Sequence, residues 1–265
     1  MSAQPIVIRE VEKTFQTRGG AVQALAKVDL NIEPLSFVSV VGPSGCGKST
    51  LMNLLAGLDT PTDGTILIGG KPMKGPQEGN AVVFQKDLLL EWRTVLANVL
   101  LPFELQNITW LDRKNRMTNK QMAEEMLQMV GLEGFGDKYP FELSGGMRQR
   151  VSICRALIQQ PSLLMMDEPF GALDALTREQ MMYDLLKIYK KYKCTVVFIT
   201  HSIEEAVFLS DRVLVMSPRP GSVVRDLPIE LERPRGMNTR MDARFLEYVR
   251  EIRGVFQSQG VLAEV

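Results

Sequence analysis

The chain has little of what most metal and redox sites are built from. There is one histidine, His201, and there are three cysteines, Cys46, Cys154 and Cys194, without metal-ligand spacing. An odd, unpaired cysteine set argues against a disulfide framework and fits free thiols in a reducing compartment. Excess charge of either sign is also missing. The 31 Lys and Arg balance 31 Asp and Glu, so no global basic field points to nucleic acid. No apolar run approaches the roughly 18–20 residues that span a bilayer. The N-terminus, with Arg9, Glu10 and Glu12, does not read as a secretory leader. Internal repeats and low-complexity segments are absent. What remains is globular composition, 45% hydrophobic and 23% charged, over 265 residues, which is enough for a substantial core in one large domain or two lobes. The expectation is a soluble cytosolic chain that acts on a membrane only through a partner.

Short β-type runs at Ile6–Val11, Val28–Ile32 and Thr65–Ile68 suggest a small antiparallel layer. Buried-type strands are expected at Phe37–Val41, Ala81–Phe84, Leu163–Met166, Thr195–Thr200 and Arg212–Met216. Between about Leu96 and Glu142 the texture is helical. Thr118 and Gln121 form a capping-box pattern there, followed by Met122, Met126, Met129 and Val130 at helical spacing, a packed face. Further helices follow Met147, Asp174 and Ser202, the last with a second capping-box pattern to Glu205, and Phe245, Val249, Ile252 and Phe256 mark a final one. Strand–helix alternation with polar residues just past strand ends is the pattern of a parallel α/β sheet.

Three motifs carry chemistry. Gly42-Pro43-Ser44-Gly45-Cys46-Gly47-Lys48-Ser49, leading into Thr50, fits G-x-x-x-x-G-K-[ST] between a strand and a helix. Its glycines let backbone N–H groups wrap a phosphate at the positive end of the helix. Lys48 is placed for the outer phosphates and Ser49 for Mg²⁺. Cys46 reads first as a tolerated small residue in the loop; the second reading is a thiol whose pKa the helix N-terminus lowers, and alkylation there is expected to block turnover unless nucleotide protects it. The apolar run Leu163–Met166 ends in Asp167 and Glu168. Consecutive charges at the end of a buried strand are costly unless used. Asp167 is expected to hold Mg²⁺ and Glu168 to polarise an attacking water. Ser144-Gly145-Gly146 opens another helix with a second set of bare N–H groups. One nucleotide seldom needs two cradles, so the second is expected to serve the nucleotide of another copy of the chain.

With Leu143-Ser144-Gly145-Gly146-Met147 as the signature, the chain resembles the ATP-binding-cassette (ABC) family, from about Phe15 to the Pro218–Gly221 turn. The resemblance implies an α/β P-loop NTPase fold with a RecA-like core, an N-terminal antiparallel β layer and an inserted helical subdomain, forming one nucleotide-binding domain over 1–265. The core would span 1–86 and 161–225, the helical insertion 87–160 and a C-terminal extension 226–265. It makes His201 the switch histidine that binds the γ-phosphate. Gln85 becomes a residue touching Mg²⁺ or the lytic water, and Asp174 part of a loop crossing between paired subunits. Phe15 is either a core aromatic or the ring that stacks on adenine.

Glu168–Arg178 looks like the ATPase subunits of bacterial importers, and Ser202–Ala206 and Met216–Gly221 look like the nitrate, sulfonate and taurine branch of them in particular. That branch implies ATP and Mg²⁺ as ligands and a head-to-tail homodimer at the cytoplasmic face of the inner membrane. It further implies two membrane-spanning permease subunits docking near Gln85–Leu105, and an extracytoplasmic solute-binding protein. Trp92 and Phe103 are candidate docking contacts, with core packing equally open for Phe103. The departures are Met147 for the usual Gln, Glu91 where proline is common, and Pro34-Leu35-Ser36 for a glycine–glutamate turn. An ATPase for lipid or lipoprotein transport, and less so one acting on nucleic acid, are the alternatives.

Overall fold

Phe37–Val41 and Thr195–Thr200 are buried at every residue, as strands covered on both faces must be. The computed structural model, which describes residues 3–105 and 113–262, sets them side by side in a sheet. In chain order the first elements are β1 (Ile6–Thr17), β2 (Gly20–Ile32), β3 (Phe37–Val41), α1 (Lys48–Ala56), β4 (Asp63–Ile68), β5 (Lys71–Pro72) and β6 (Asn80–Val83). Then come α2 (Val95–Leu105), α3 (Arg113–Met129), α4 (Gly145–Leu157), β7 (Leu163–Asp167), α5 (Ala175–Tyr192) and β8 (Thr195–Thr200). The chain continues through α6 (Ile203–Leu209), β9 (Arg212–Met216), β10 (Val223–Pro228) and α7 (Ala243–Ser258). Residues 106–112, within the expected helical insertion, lie outside the described residues.

Two sheets result. A four-stranded antiparallel sheet has the order β2-β1-β4-β5, and a six-stranded sheet the order β10-β9-β3-β8-β7-β6, parallel except for β10. The six-stranded sheet separates two cores. Along β7, Leu164 and Met166 face one, and Leu163 and Met165 the other, as a period of two requires. The methionine face of α3 packs as expected, with Met126 and Val130 buried and Met122 and Met129 against the core. Phe245, Val249, Ile252 and Phe256 bury the inner face of α7.

The structure corrects several expectations. Helix α3 begins at Arg113, so Thr118 lies inside it and is not the residue at its start. Polar residues of good helix propensity extend the helix ahead of its apolar face, where periodicity is blind. At α6, Ser202 caps as expected by accepting from the Glu205 N–H, at 3.3 Å. The Glu205 carboxylate takes the Thr200 hydroxyl, at 2.6 Å, instead of closing the box. The first hairpin is longer at both arms than the apolar runs imply, and β5 and β10 went unread.

Candidate active site

Register places the chemistry. Val41 of β3 pairs with Thr200 of β8, Asp167 of β7 with Ile199, and Val83 of β6 with Met166. The residues after these four strands therefore emerge at one edge of the sheet. Beyond β3 the loop Gly42–Gly47 leads into α1. Gly47 takes φ 103°, and a Cβ there would lie 2.8 Å from the Ala24 carbonyl oxygen, so only glycine fits. The loop residues Ser44, Gly45 and Gly47 line a cleft of about 380 Å³ with Lys48, Ser49 and Thr50. Phe15, Gln85, Asp167 and Glu168 reach the same cleft, from β1, the end of β6 and the end of β7. A roomier, largely apolar cavity of about 570 Å³, beside Leu35 and Tyr189, lacks any such cradle.

Lys48 is buried, and its Nζ donates to the carbonyls of Gly42 (2.9 Å) and Pro43 (3.0 Å), 4.0 Å from Glu168 Oε1. Neutral acceptors hold it at the mouth of the loop, and an anionic phosphate is a stronger acceptor than either. Burial pushes the Asp167 carboxyl above its usual range, with the adjacent Ser49 hydroxyl opposing. Strand alternation alone would send Glu168 to the face opposite Asp167. Instead Glu168 adopts φ 43°, and both carboxylates line the cleft. A left-handed non-glycine residue costs on the order of 1–3 kcal/mol, and such strain gathers at functional positions. His201, more than half exposed, brings Nδ1 within 3.3 Å of Glu168 Oε2. Phe15 is paired with Val22 across the hairpin, and the Lys13 ammonium lies 4.9 Å from its ring centroid.

The Cys46 expectation fails. The residue is closed to solvent, and burial pushes its thiol up, against the attraction of Lys48. Ser144, Gly145, Gly146 and Asp174 do not line this cleft. Ser144 caps α4 by accepting from the Met147 N–H, and Asp174 caps α5 by accepting from the Thr177 N–H. Met147 packs against the core. Sequence reading missed Arg219, which lines the cleft, and Gly221, which touches the phosphate loop. Both follow β9, and β9 lies next to β3 only in the folded strand order.

A family model described as ABC transporter matches residues 25–171. The taurine import ATP-binding protein of Rhizobium johnstonii is 46% identical over 245 residues, 91% of this chain and 91% of its own length. The nitrate import ATP-binding protein of a Synechocystis strain is 42% identical over 258 residues, 95% of each chain. A solved dimeric bacterial ABC transporter cassette matches with a TM-score of 0.74 at 34% identity, covering 86% of this chain and 100% of that one. A dimeric post-hydrolysis state of an ATP-binding cassette with ADP and Pi matches with a TM-score of 0.72 at 32% identity, with the same coverage.

Proposed function

The chain belongs to the ABC transporter family, whose ATP-binding proteins are ATPases, and we propose that two copies of it close on ATP to drive import of a small sulfonate-, nitrate- or taurine-like solute through separate membrane-spanning subunits. The observation that carries this reading is the separation of the two glycine-rich helix starts. One lines the cleft with Asp167 and Glu168, and the other, Ser144-Gly145-Gly146, opens α4 outside it. A second chain, turned head to tail, brings its own Ser144-Gly145-Gly146 over the nucleotide and its Asp174 turn beside it.

In this reading the loop N–H groups and Lys48 hold the phosphates, and Phe15 stacks on adenine. The oxygens of Ser49, Asp167 and Gln85 are the hard donors that Mg²⁺ takes, and a buried carboxylate of raised pKa is relieved by a divalent cation. Among the described residues no group of three or more Asp, Glu, His or Cys is placed to hold a metal ion by itself. That suits a cation completed by phosphates and water. Bound there, the cation would neutralise charge developing on the phosphates. Glu168 orients and polarises the attacking water, and His201 donates a hydrogen bond to the γ-phosphate.

No helix among the described residues is long and apolar enough to cross a membrane, and the reading assigns that task to two permease subunits. They dock on Gln85–Leu105 at the cytoplasmic face, with a solute-binding protein delivering the solute on the other side. Trp92, 74% exposed, and Leu88 offer apolar surface there, whereas Phe103 packs against the core. Arg148 pairs with Asp87, and Arg155 donates to the carbonyls of Asp87 and Leu88, so motion after Gln85 passes directly into α4. The relatives named for taurine and nitrate support a small solute of the sulfonate, nitrate or taurine kind.

The Glu168→Gln variant tests the chemistry. It should bind ATP normally, lose roughly 10²–10⁴-fold in turnover, the worth of a general base, and elute as an ATP-bound dimer by light scattering. Near-normal turnover would remove Glu168 from this role. Purification of the same variant from native membranes should bring down a polytopic subunit.

A further inference from the structure

The turn bearing His201 is tied to the turn preceding Asp174 by polar contacts that lie outside the cleft. The Ser202 N–H donates to Thr200 Oγ1 (3.0 Å), and the Thr200 hydroxyl donates to Glu205 Oε2 (2.6 Å). Glu205 is 6% exposed, and its other carboxylate oxygen lies 3.6 Å from Arg178 Nε. Arg178 Nη2 in turn donates to the Leu173 carbonyl (2.8 Å). The circuit closes on the candidate base, because the Gly171 N–H donates to the Glu168 carbonyl (3.1 Å) and His201 Nδ1 faces the Glu168 carboxylate.

The Leu173 turn also meets the second cradle. A Cβ added to Gly146 would lie 2.5 Å from Thr177 Cγ2 and 3.8 Å from Leu173 Cδ2. The start of α4 therefore packs directly on the start of α5, with no room for a side chain between them. Any shift of the Leu173–Thr177 segment presses on Ser144-Gly145-Gly146.

Resting on the two-copy reading above, we propose that Arg178 and Glu205 are positioning residues that couple the two nucleotide sites. They join His201, which stands beside Glu168 of this chain's cleft, to the cradle that this chain offers to its partner's nucleotide. The Arg178–Glu205 pair is suited to report small motions. Arg178 Nε is buried and makes no hydrogen bond, yet stands only slightly beyond hydrogen-bond distance of the carboxylate. A few tenths of an ångström at either turn makes or breaks that bond. Away from water the difference is amplified, since a buried carboxylate depends on its partners. A γ-phosphate that draws His201 inward moves Thr200 and Glu205, and Arg178 carries the displacement to Leu173.

The test uses the full chain with Arg178→Met, Glu205→Gln and the double variant. It reads single-site nucleotide affinity, turnover, the Hill coefficient for ATP and the thermal midpoint. Each single variant should bind nucleotide as the unaltered chain does. Turnover should fall roughly 5- to 150-fold, the span of typical coupling energies, and the Hill coefficient should fall to 1. The double variant should be no worse than the poorer single one, because both break one link. Unchanged cooperativity in both single variants, multiplying losses in the double, or losses that only track the thermal midpoint would each overturn the coupling role. If Glu205→Gln is not recovered folded, Arg178→Lys, which keeps the charge but not the fork to Leu173, carries the same expectation. An unaltered chain that turns over ATP with no cooperativity and no dimer counts against the two-copy reading itself. A cooperative unaltered chain with unaffected variants counts against the pair alone.

Discussion

Cys46 sits inside the phosphate loop but is sealed beneath it, and burial pushes its thiol up, as it does Cys154, to about 12, and Cys194, to about 11. A thiol that is both enclosed and protonated is a poor nucleophile. At pH 8 the native chain should take up iodoacetamide far more slowly than free cysteine does, and the denatured chain should take up three equivalents by intact mass. Rapid native labelling at Cys46 would mean that the loop opens. The position at a helix start suggested the reverse, and enclosure beneath the loop outweighs the helix end. Leu35 is a similar case. It takes φ 62° and is held there by the Thr195 hydroxyl accepting from its N–H and by the Tyr189 hydroxyl donating to its carbonyl. Two hydrogen bonds hold a side chain where glycine would sit without strain.

Among the elements, the turn between β9 and β10 braces the phosphate loop. Gly221 donates to the Ala24 carbonyl and accepts from the Ala26 N–H, and a Cβ on it would fall 1.8 Å from the Cys46 carbonyl oxygen. Gly221→Ala must therefore displace the loop or the turn. Nucleotide affinity should fall at least about tenfold, or 1.4 kcal/mol, by fluorescent-nucleotide titration, and unchanged affinity would show that the turn yields instead. The phosphate loop, Asp167 and Glu168 were legible in the sequence because each lies at or just past the end of a run of buried strand residues, where a polar residue stands out, and His201, after a strand buried at every position, took its role from the family resemblance. Gly221 and Arg219 were not legible, because their nearness to the loop depends on β9 lying beside β3, a pairing across some 170 residues. Glu205 was misread because a carboxylate three residues after a serine usually caps its own helix. Only the fold shows Thr200 within its reach.

On the scale of the whole molecule, the proposed reading gives the cleft a phosphate loop, a carboxylate for the metal and a base, and none of the described residues forms a second cradle on its open side. Turnover per chain should therefore rise with chain concentration and level off once pairs form. A rate per chain constant over a hundredfold dilution would remove the two-chain site. If chains pair as proposed, the separate placement of the two glycine-rich helix starts also bears on how many assemble. A molecule with a cleft at one place and a matching cradle at another could link head to tail without end, as a filament does. A two-fold axis uses both in a single pair of contacts and leaves neither free. On the proposed pairing, an assembly built on this surface would stop at two chains, carry two nucleotides, and present the same face twice to whatever lies above it.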